Sequence, residues 1–244
     1  MQRLKVLGLA LVAAFALGAV AASGASAAEP EILSCQKVAA GTGAFEDAKC
    51  SKLGGTKEFE LKELVKKKFT STSGAGELKA AGQTVKCAAD TNTGEISGTK
   101  AVVKVVVKFT KCKLGAAECK SAGANPEEIV TTSLKGRLGY LEKAKSGKVG
   151  LELEPEVAGG PFATFKCGLV ETKVTGCTIG KITSKLNEVL ATATVEWKEV
   201  GGKQEWTEMV EGVHKPCELS AFGGKAVLVN TDTVTPEEAA EIKA

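Results

Sequence analysis

Eight cysteines, one histidine and 29 carboxylates carry most of the reactive chemistry of this 244-residue chain. The cysteines stand at 35, 50, 87, 112, 119, 167, 177 and 217. None forms a C-x-x-C pair, so neither a zinc knuckle nor a thioredoxin-like redox motif is present, and one histidine is too little for a Cys/His zinc site. An even set of cysteines beyond an export signal reads as four structural disulfides. A Ser-His-Asp triad would need His214, but "EGVHKPC" sets it beside a proline and a cysteine, and no G-x-S-x-G elbow accompanies it. His214 is therefore read as an ordinary loop residue. "GCTIGK" has the wrong glycine spacing for a P-loop and no Ser/Thr after its lysine. "DTNTGE" (90–95) hints at a calcium loop, yet its glycine falls one place early and the glutamate at position twelve is missing, so it reads as a polar turn between strands. These readings leave no catalytic residue, metal ligand set or cofactor site. Paired carboxylates for glycoside hydrolysis stay open, because their separation is set by the fold. Tyr140, Trp197 and Trp206 are the aromatics suited to stacking on a sugar. Tyr140 and Trp197 fall on apolar faces, which leaves Trp206, in "KQEWTE", as the candidate ligand contact.

Spacing gives a first set of pairings. Cys35 and Cys50 flank the polar "QKVAAGTGAFEDAK", and closing that loop would constrain the unfolded chain by roughly 3 kcal/mol. Cys112 and Cys119 bracket the tight excursion "KLGAAE". "TVKCAADTNTGEISG" (84–98) and "TFKCGLVETKVTG" (164–176) echo each other, and two equivalent strands face to face would join Cys87 to Cys167. Cys177–Cys217 remains. The alternative joins Cys167 to Cys177 and Cys87 to Cys217.

The compartment follows from the first thirty residues. Arg3 and Lys5 precede an apolar run from Val6 to Ala22, and Ala25-Ser26-Ala27 fits an A-x-A cleavage site. This is the order of a secretory signal peptide over residues 1–28, cut near Ala27 or Ala28, and it predicts a secreted protein with no membrane span after cleavage. "ILSC" resembles a lipobox only faintly. Glu29, Pro30 and Glu31 separate it from the apolar core, and lipidating Cys35 would strand one of seven remaining thiols. With Arg3 and Lys5 removed the net charge falls from +3 to +1, no footprint for nucleic acid or anionic lipid. Lys66-Lys67-Lys68 reads as solvated surface.

Apolar and polar residues alternate with period two along the chain. Val103, Val105, Val107 and Phe109 oppose Lys104 and Lys108. Leu134, Leu138 and Tyr140 oppose Lys135 and Arg137, and Val149, Leu151 and Leu153 oppose Glu152 and Glu154. Val189, Ala191, Ala193, Val195 and Trp197 line one face of a further run. One face on a core and one in water is the signature of antiparallel sheet. Gly-bearing turns such as "KAKSGK" and "EVGGKQ" separate the runs, and further strands are expected at 67–72, 83–88, 94–98, 162–167, 170–175, 178–183 and 225–231. Helix signatures are scarce: "TPEEAAEI" has Thr235 as N-cap and Glu238 closing a capping box, and "NPEEIV" at 125 has the same signature but a β-branched continuation that should end it within one turn. The expected fold is all-β: an antiparallel sandwich or barrel over 66–244, preceded by a small disulfide-closed N-terminal segment, 29–65.

"CQKVAAGTGAFEDAKC", "KKFTSTSGAGEL", "VKCAADTNTGEISGTKAVVKVVVKFTKC", "ECKSAGANPEEIVTTSLKGRLGYL", "KVGLELEP" and "TDTVTPEEAAEIKA" resemble, in that order, a paralogous set of uncharacterised secreted proteins from high-GC bacteria. The resemblance spans nearly all of the mature chain. It implies export and an all-β domain, and carries over no site, because the family has no assigned activity. It also implies that Cys177 and Cys217 are an addition to the family's cysteines, which favours joining them to each other.

Three functions suit these features. The first is a non-catalytic binding or cell-envelope-associated protein with a cell-surface, glycan or protein partner. The second is a secreted hydrolase using Asp/Glu chemistry, which requires a cleft holding two close carboxylates, one with a raised pKa. The third is a small-molecule carrier, which requires an apolar cavity inside a closed sheet.

Overall fold

The computed structural model describes residues 29–142, 147–210 and 216–244, and every regular element among them is a β-strand. Two closed antiparallel rings and one open sheet account for most of them. The first ring runs β3 (Lys67–Ser73), β6 (Ala89–Ile96), β7 (Ala101–Thr110), β11 (Leu134–Tyr140), β12 (Val149–Pro155), β15 (Thr178–Ile182), β17 (Ala193–Trp197) and β21 (Gly224–Pro236), and closes because β21 pairs with β3. The second runs β4 (Gly76–Ala80), β5 (Gln83–Cys87), β8 (Lys113–Leu114), β9 (Ala117–Lys120), β13 (Pro161–Cys167), β14 (Val170–Gly176) and β20 (Leu219–Ala221), and returns through β21 to β4. The open sheet has the order β16 (Val189–Leu190), β22 (Ala240–Lys243), β1 (Glu31–Lys37) and β2 (Phe59–Glu63). β10 (Ile129–Val130) pairs with β7, and β18 (Glu199–Val200) with β19 (Lys203–Gln204) in a small hairpin.

The expected barrel is thus a closed sheet, joined to a second ring by three polypeptide stretches that run through both. β3 leads through Gly74 into β4, and β5 through Ala88 into β6, while β21 is one unbroken strand. Tight turns permit this. Ala81-Gly82 between β4 and β5 and Phe222-Gly223 between β20 and β21 all have positive φ, the two-residue geometry that matches strand twist. Aliphatic and aromatic side chains fill both interiors, among them Leu134, Val149, Val85, Phe165 and Trp197.

Local departures from strict alternation have identifiable causes. Lys104 takes φ +53° at a β-bulge, so Val102, Val105 and Val107 face inward and Val103 does not. The expected run from Val189 to Trp197 is broken: Val189–Leu190 joins the open sheet and only Ala193–Trp197 joins the ring. The C-terminal helix does not form. Thr233, Val234 and Thr235 pair with β3, the Glu237 amide donates to the Lys68 carbonyl, and Ala240–Lys243 pairs with β1. β-branched residues with a partner strand beside them outweigh a local capping box. Segment 29–65 is stitched to the C-terminus through the same β1–β22 pairing.

Disulfides join Cys35 to Cys50, Cys177 to Cys217, Cys87 to Cys112 and Cys119 to Cys167. The last two replace the expected Cys87–Cys167 and Cys112–Cys119. The ladder explains why. Lys86 opposes Lys113, Lys113 opposes Glu118 and Cys119 opposes Cys167, so the four cysteines form one buried row across β5, β8, β9 and β13. Cys119 donates its amide to the Cys112 carbonyl while the Cys112 amide turns to the Glu127 carbonyl, so these two sit at a hydrogen-bonded rung with one of its two bonds made, where side chains are the more widely spaced. The Gly168 amide donates to the Glu118 carbonyl, which makes Cys119 and Cys167 a closely spaced, non-hydrogen-bonded pair. The two bridged pairs of the row have Cα–Cα separations of 4.0 Å. Non-reducing peptide mapping is expected to recover peptides linking 87 to 112 and 119 to 167. The double variant Cys119→Ala/Cys167→Ala should lose about 4 kcal/mol in urea unfolding. A recovered 112–119 link would contradict this arrangement.

Candidate functional site

Two carboxylates, Asp90 and Asp232, meet inside the first ring, where its strands leave for the second. β3 turns Ser71 and Ser73 inward, β6 turns Asp90 and Asn92, and β21 turns Asn230 and Asp232, while the threonines between them face outward. Asp90 and Asp232 are only 2% and 3% exposed. Ser71 donates to Asp232 Oδ1 at 2.8 Å and Asn92 Nδ2 to the same oxygen at 3.2 Å. Asn230 Nδ2 donates to Asp90 Oδ2 at 2.7 Å and to Asp232 Oδ2 at 3.0 Å, and Ser73 donates to Asp90 Oδ2. Burial, then the neighbouring Asp90 carboxylate, pushes the Asp232 carboxyl up to about 7. "DTNTGE" is therefore the body of a strand, and its acid faces a second acid within the core.

This pair has one attribute of a hydrolytic site and lacks another. None of the six side chains lines either apolar cavity or either surface cleft described below. An acid that donates a proton to a substrate must be within hydrogen-bond reach of it. The cavities themselves are small. One of about 50 Å³ in the second ring is lined by Leu78, Val85, Phe109, Phe162, Phe165 and Leu228. One of about 90 Å³ at the far end of the first is lined by Phe69, Ile96, Leu138, Val195, Ile32 and Ile242. Pockets for cofactor-sized ligands run to roughly 300–1,000 Å³.

The larger concavities lie against the open sheet. A cleft of about 770 Å³ has Leu33, Phe45 and Leu61 in its wall, with Glu31, Glu60 and Lys243 among its charged residues. A second, of about 530 Å³, is lined by Ser34, Gln36, Lys37, Ala48, Lys67 and Glu238. β2 forms an edge of the sheet. Its Phe59 exchanges both backbone hydrogen bonds with Phe45, at 2.9 and 3.0 Å, and strand alternation then turns the amides and carbonyls of Leu61 and Glu63 toward the same open side. Leu53, bridged to Phe45, is 78% exposed, so apolar surface continues past the rim.

The sequence-derived candidates lie elsewhere. Trp206 is half-buried against Leu141, Ile179, Met209 and the Cys177–Cys217 disulfide, and Lys148 Nζ stands 5.8 Å from its ring centre. A small core thus takes up the indole surface expected to meet a ligand. Tyr140 and Trp197 are buried. His214 lies outside the described residues. Glu152 stands near Cys177 and Cys217, but the sulfurs are bonded to each other and its carboxylate receives Arg137 Nε at 2.8 Å, so no thiolate set is offered to a metal. The acid pair was missed because inward polar residues defeat an apolar-face search. A usable signal existed in "DTNT" (90–93) and "NTDT" (230–233), where β-branched threonine alternates with Asp or Asn.

No protein-family model matches the chain, and neither a curated protein nor a solved structure shows significant similarity to it.

Trp206→Ala is expected to cost about 2 kcal/mol in denaturant unfolding, through the apolar contacts it removes. A variant with unchanged stability would return Trp206 to the list of surface contacts.

Proposed function

We propose that this is an exported, disulfide-stapled protein that acts by binding, without catalysis, and that it meets a cell-envelope, glycan or protein partner through the cleft beside β2. The observation that carries this reading is the cleft, whose apolar wall of Leu33, Phe45 and Leu61 is rimmed by Glu31, Glu60, Glu63, Lys62 and Lys243. An apolar centre with a polar margin is the usual anatomy of a recognition surface. Among the described residues the other exposed large hydrophobics, Val157, Leu169, Val170 and Val200, are spread over three separate turns and the strand ends beside them. The hydrolase reading would need substrate to reach an acid pair that is sealed in the core. The carrier reading would need more room than the two apolar cavities have. Four disulfides suit an oxidising compartment, and export accords with the signal-peptide pattern and with the resemblance to secreted bacterial proteins.

Protein recovered from culture medium is expected to begin at Ala28 or Glu29 by intact mass. The double variant Phe45→Ala/Leu61→Lys should lower retention on washed cell envelopes at least tenfold and shift the melting temperature by only a few degrees. Unchanged retention would remove the cleft from the proposal. Hydrolysis of a polysaccharide or ester, abolished by Asp90→Asn, would replace the binding reading with the enzymatic one.

A further inference from the structure

The acid pair plays no part in the proposed contact, yet its surroundings are unusual. Every element packed around it contributes neutral groups. β3 gives Ser71 and Ser73; β6 and β21 give Asn92 and Asn230 beside the acids themselves. In the flanking ladders, β7 sets Phe109 opposite Asp90 and Val107 opposite Asn92, and β17 sets Val195 opposite Asp232 and Trp197 opposite Asn230. Gly76 of β4 lies against the Asn230 carboxamide oxygen. Among the described residues no lysine, arginine or histidine stands in this layer, so none of them balances two buried negative charges. Such a pair must take up a proton or a metal ion. The hydrogen bonds decide between them. All four neutral side chains donate toward the carboxylates, and neither carboxamide turns its oxygen on them as cation coordination would require. Oδ1 of Asp90 is the one carboxylate oxygen in the layer that receives no donor.

We propose that Asp90 and Asp232 hold one proton between them, and that this proton clamps the three shared stretches where one ring passes into the other. Without it, two adjacent carboxylates repel across the β6, β3 and β21 strands that both rings need. The folded pair binds its proton more tightly than an unfolded aspartate does. Its stabilisation is therefore complete below about pH 4 and is lost as the pH rises to about 7. The protein is thus built to tighten on acidification and to loosen near neutrality.

Thermal and urea unfolding at about pH 5.5 and about pH 8.5, with disulfides intact, test the clamp. The unfolding constant of the unmodified protein should rise about 30-fold between the two, the linkage expected of one such proton. Asp232→Asn should flatten most of that dependence and be the more stable form at the higher pH. This variant keeps the single histidine and Glu241, whose carboxyl burial also pushes upward, so the slope that remains reports them. Acids held down by partners, such as Glu77 by Lys79 and Glu128 by Lys108, act below this window. Should Asp232→Asn fail to fold, carboxyl carbon shifts of Asp90 and Asp232 in the unmodified protein give the answer directly. One transition near pH 7 supports the clamp, and two transitions below pH 5 overturn it. A rise in melting temperature with calcium or magnesium at about pH 8.5, absent in Asp232→Asn, would also overturn it, by placing a cation where the proton is assigned.

Discussion

Both rings close through a single strand. Over thirteen residues β21 bonds first to β20 and β4 and then to β17 and β3. A strand has only two edges, so serving four partners requires it to change neighbours along its length while its backbone stays extended. β3–β4 and β5–β6 make the same passage beside it, and the hairpin register that pairs Ala80 with Gln83 continues to pair Lys67 with Ile96. The two cores are therefore built on common backbone. A slip of one residue in any of the three stretches would turn inward side chains outward in both rings at once.

Seen against that constraint, the polar layer has a structural logic. Apolar side chains are interchangeable to within a methylene or so, and an all-aliphatic seam would tolerate several registers. Ser71, Ser73, Asn92 and Asn230 each donate to a carboxylate oxygen of Asp90 or Asp232, and a shifted register would take those donors away from the two acids. Buried polar groups used in this way gain specificity at some expense of stability. The sulfur row does related work in the second ring. β8 and β9 have two and four residues, too short to hold a ring by hydrogen bonds alone, and bridges at both flanks tie them to β5 and β13.

How much of this was legible in the sequence differs from element to element. Leu134–Tyr140 and Val149–Pro155 read correctly because Leu134, Leu138, Tyr140, Val149 and Leu153 turn to the core while Lys135, Arg137, Glu152 and Glu154 stay at least partly in water. Val102 replaced Val103 on the inner face because a bulge at Lys104 adds a residue that no periodicity announces. The cysteine row could not be read, since Cys112 and Cys119 are near in sequence but sit at the hydrogen-bonded rung, and which rung a pair occupies is a property of register. The C-terminal helix failed for a different reason. "TPEEAAEI" caps well in isolation, but β1 and β3 offer its flanks ladder bonds that no local signal contains. The acid pair needed two distant parts of the chain: Asp90 and Asp232 are 142 positions apart in the sequence, and the pairing of β21 with β3 beside β6 brings them together.

The location of the cleft follows from the same architecture. A closed ring has no free edge, so its backbone groups are spent internally and its surface offers little for main-chain recognition. The four-stranded sheet is the exception. It is assembled from both ends of the described chain, it covers the mouth of the first ring through Ile32 and Ile242, and its β2 edge stops one bridge after Phe45 has begun to add a fifth strand. Rigidity and accessibility are thus divided between the parts: two rings hold the sheet still, and the sheet holds the open groups. A partner that contacts Leu61 or Phe45 would meet a surface whose position is fixed by strands it never touches.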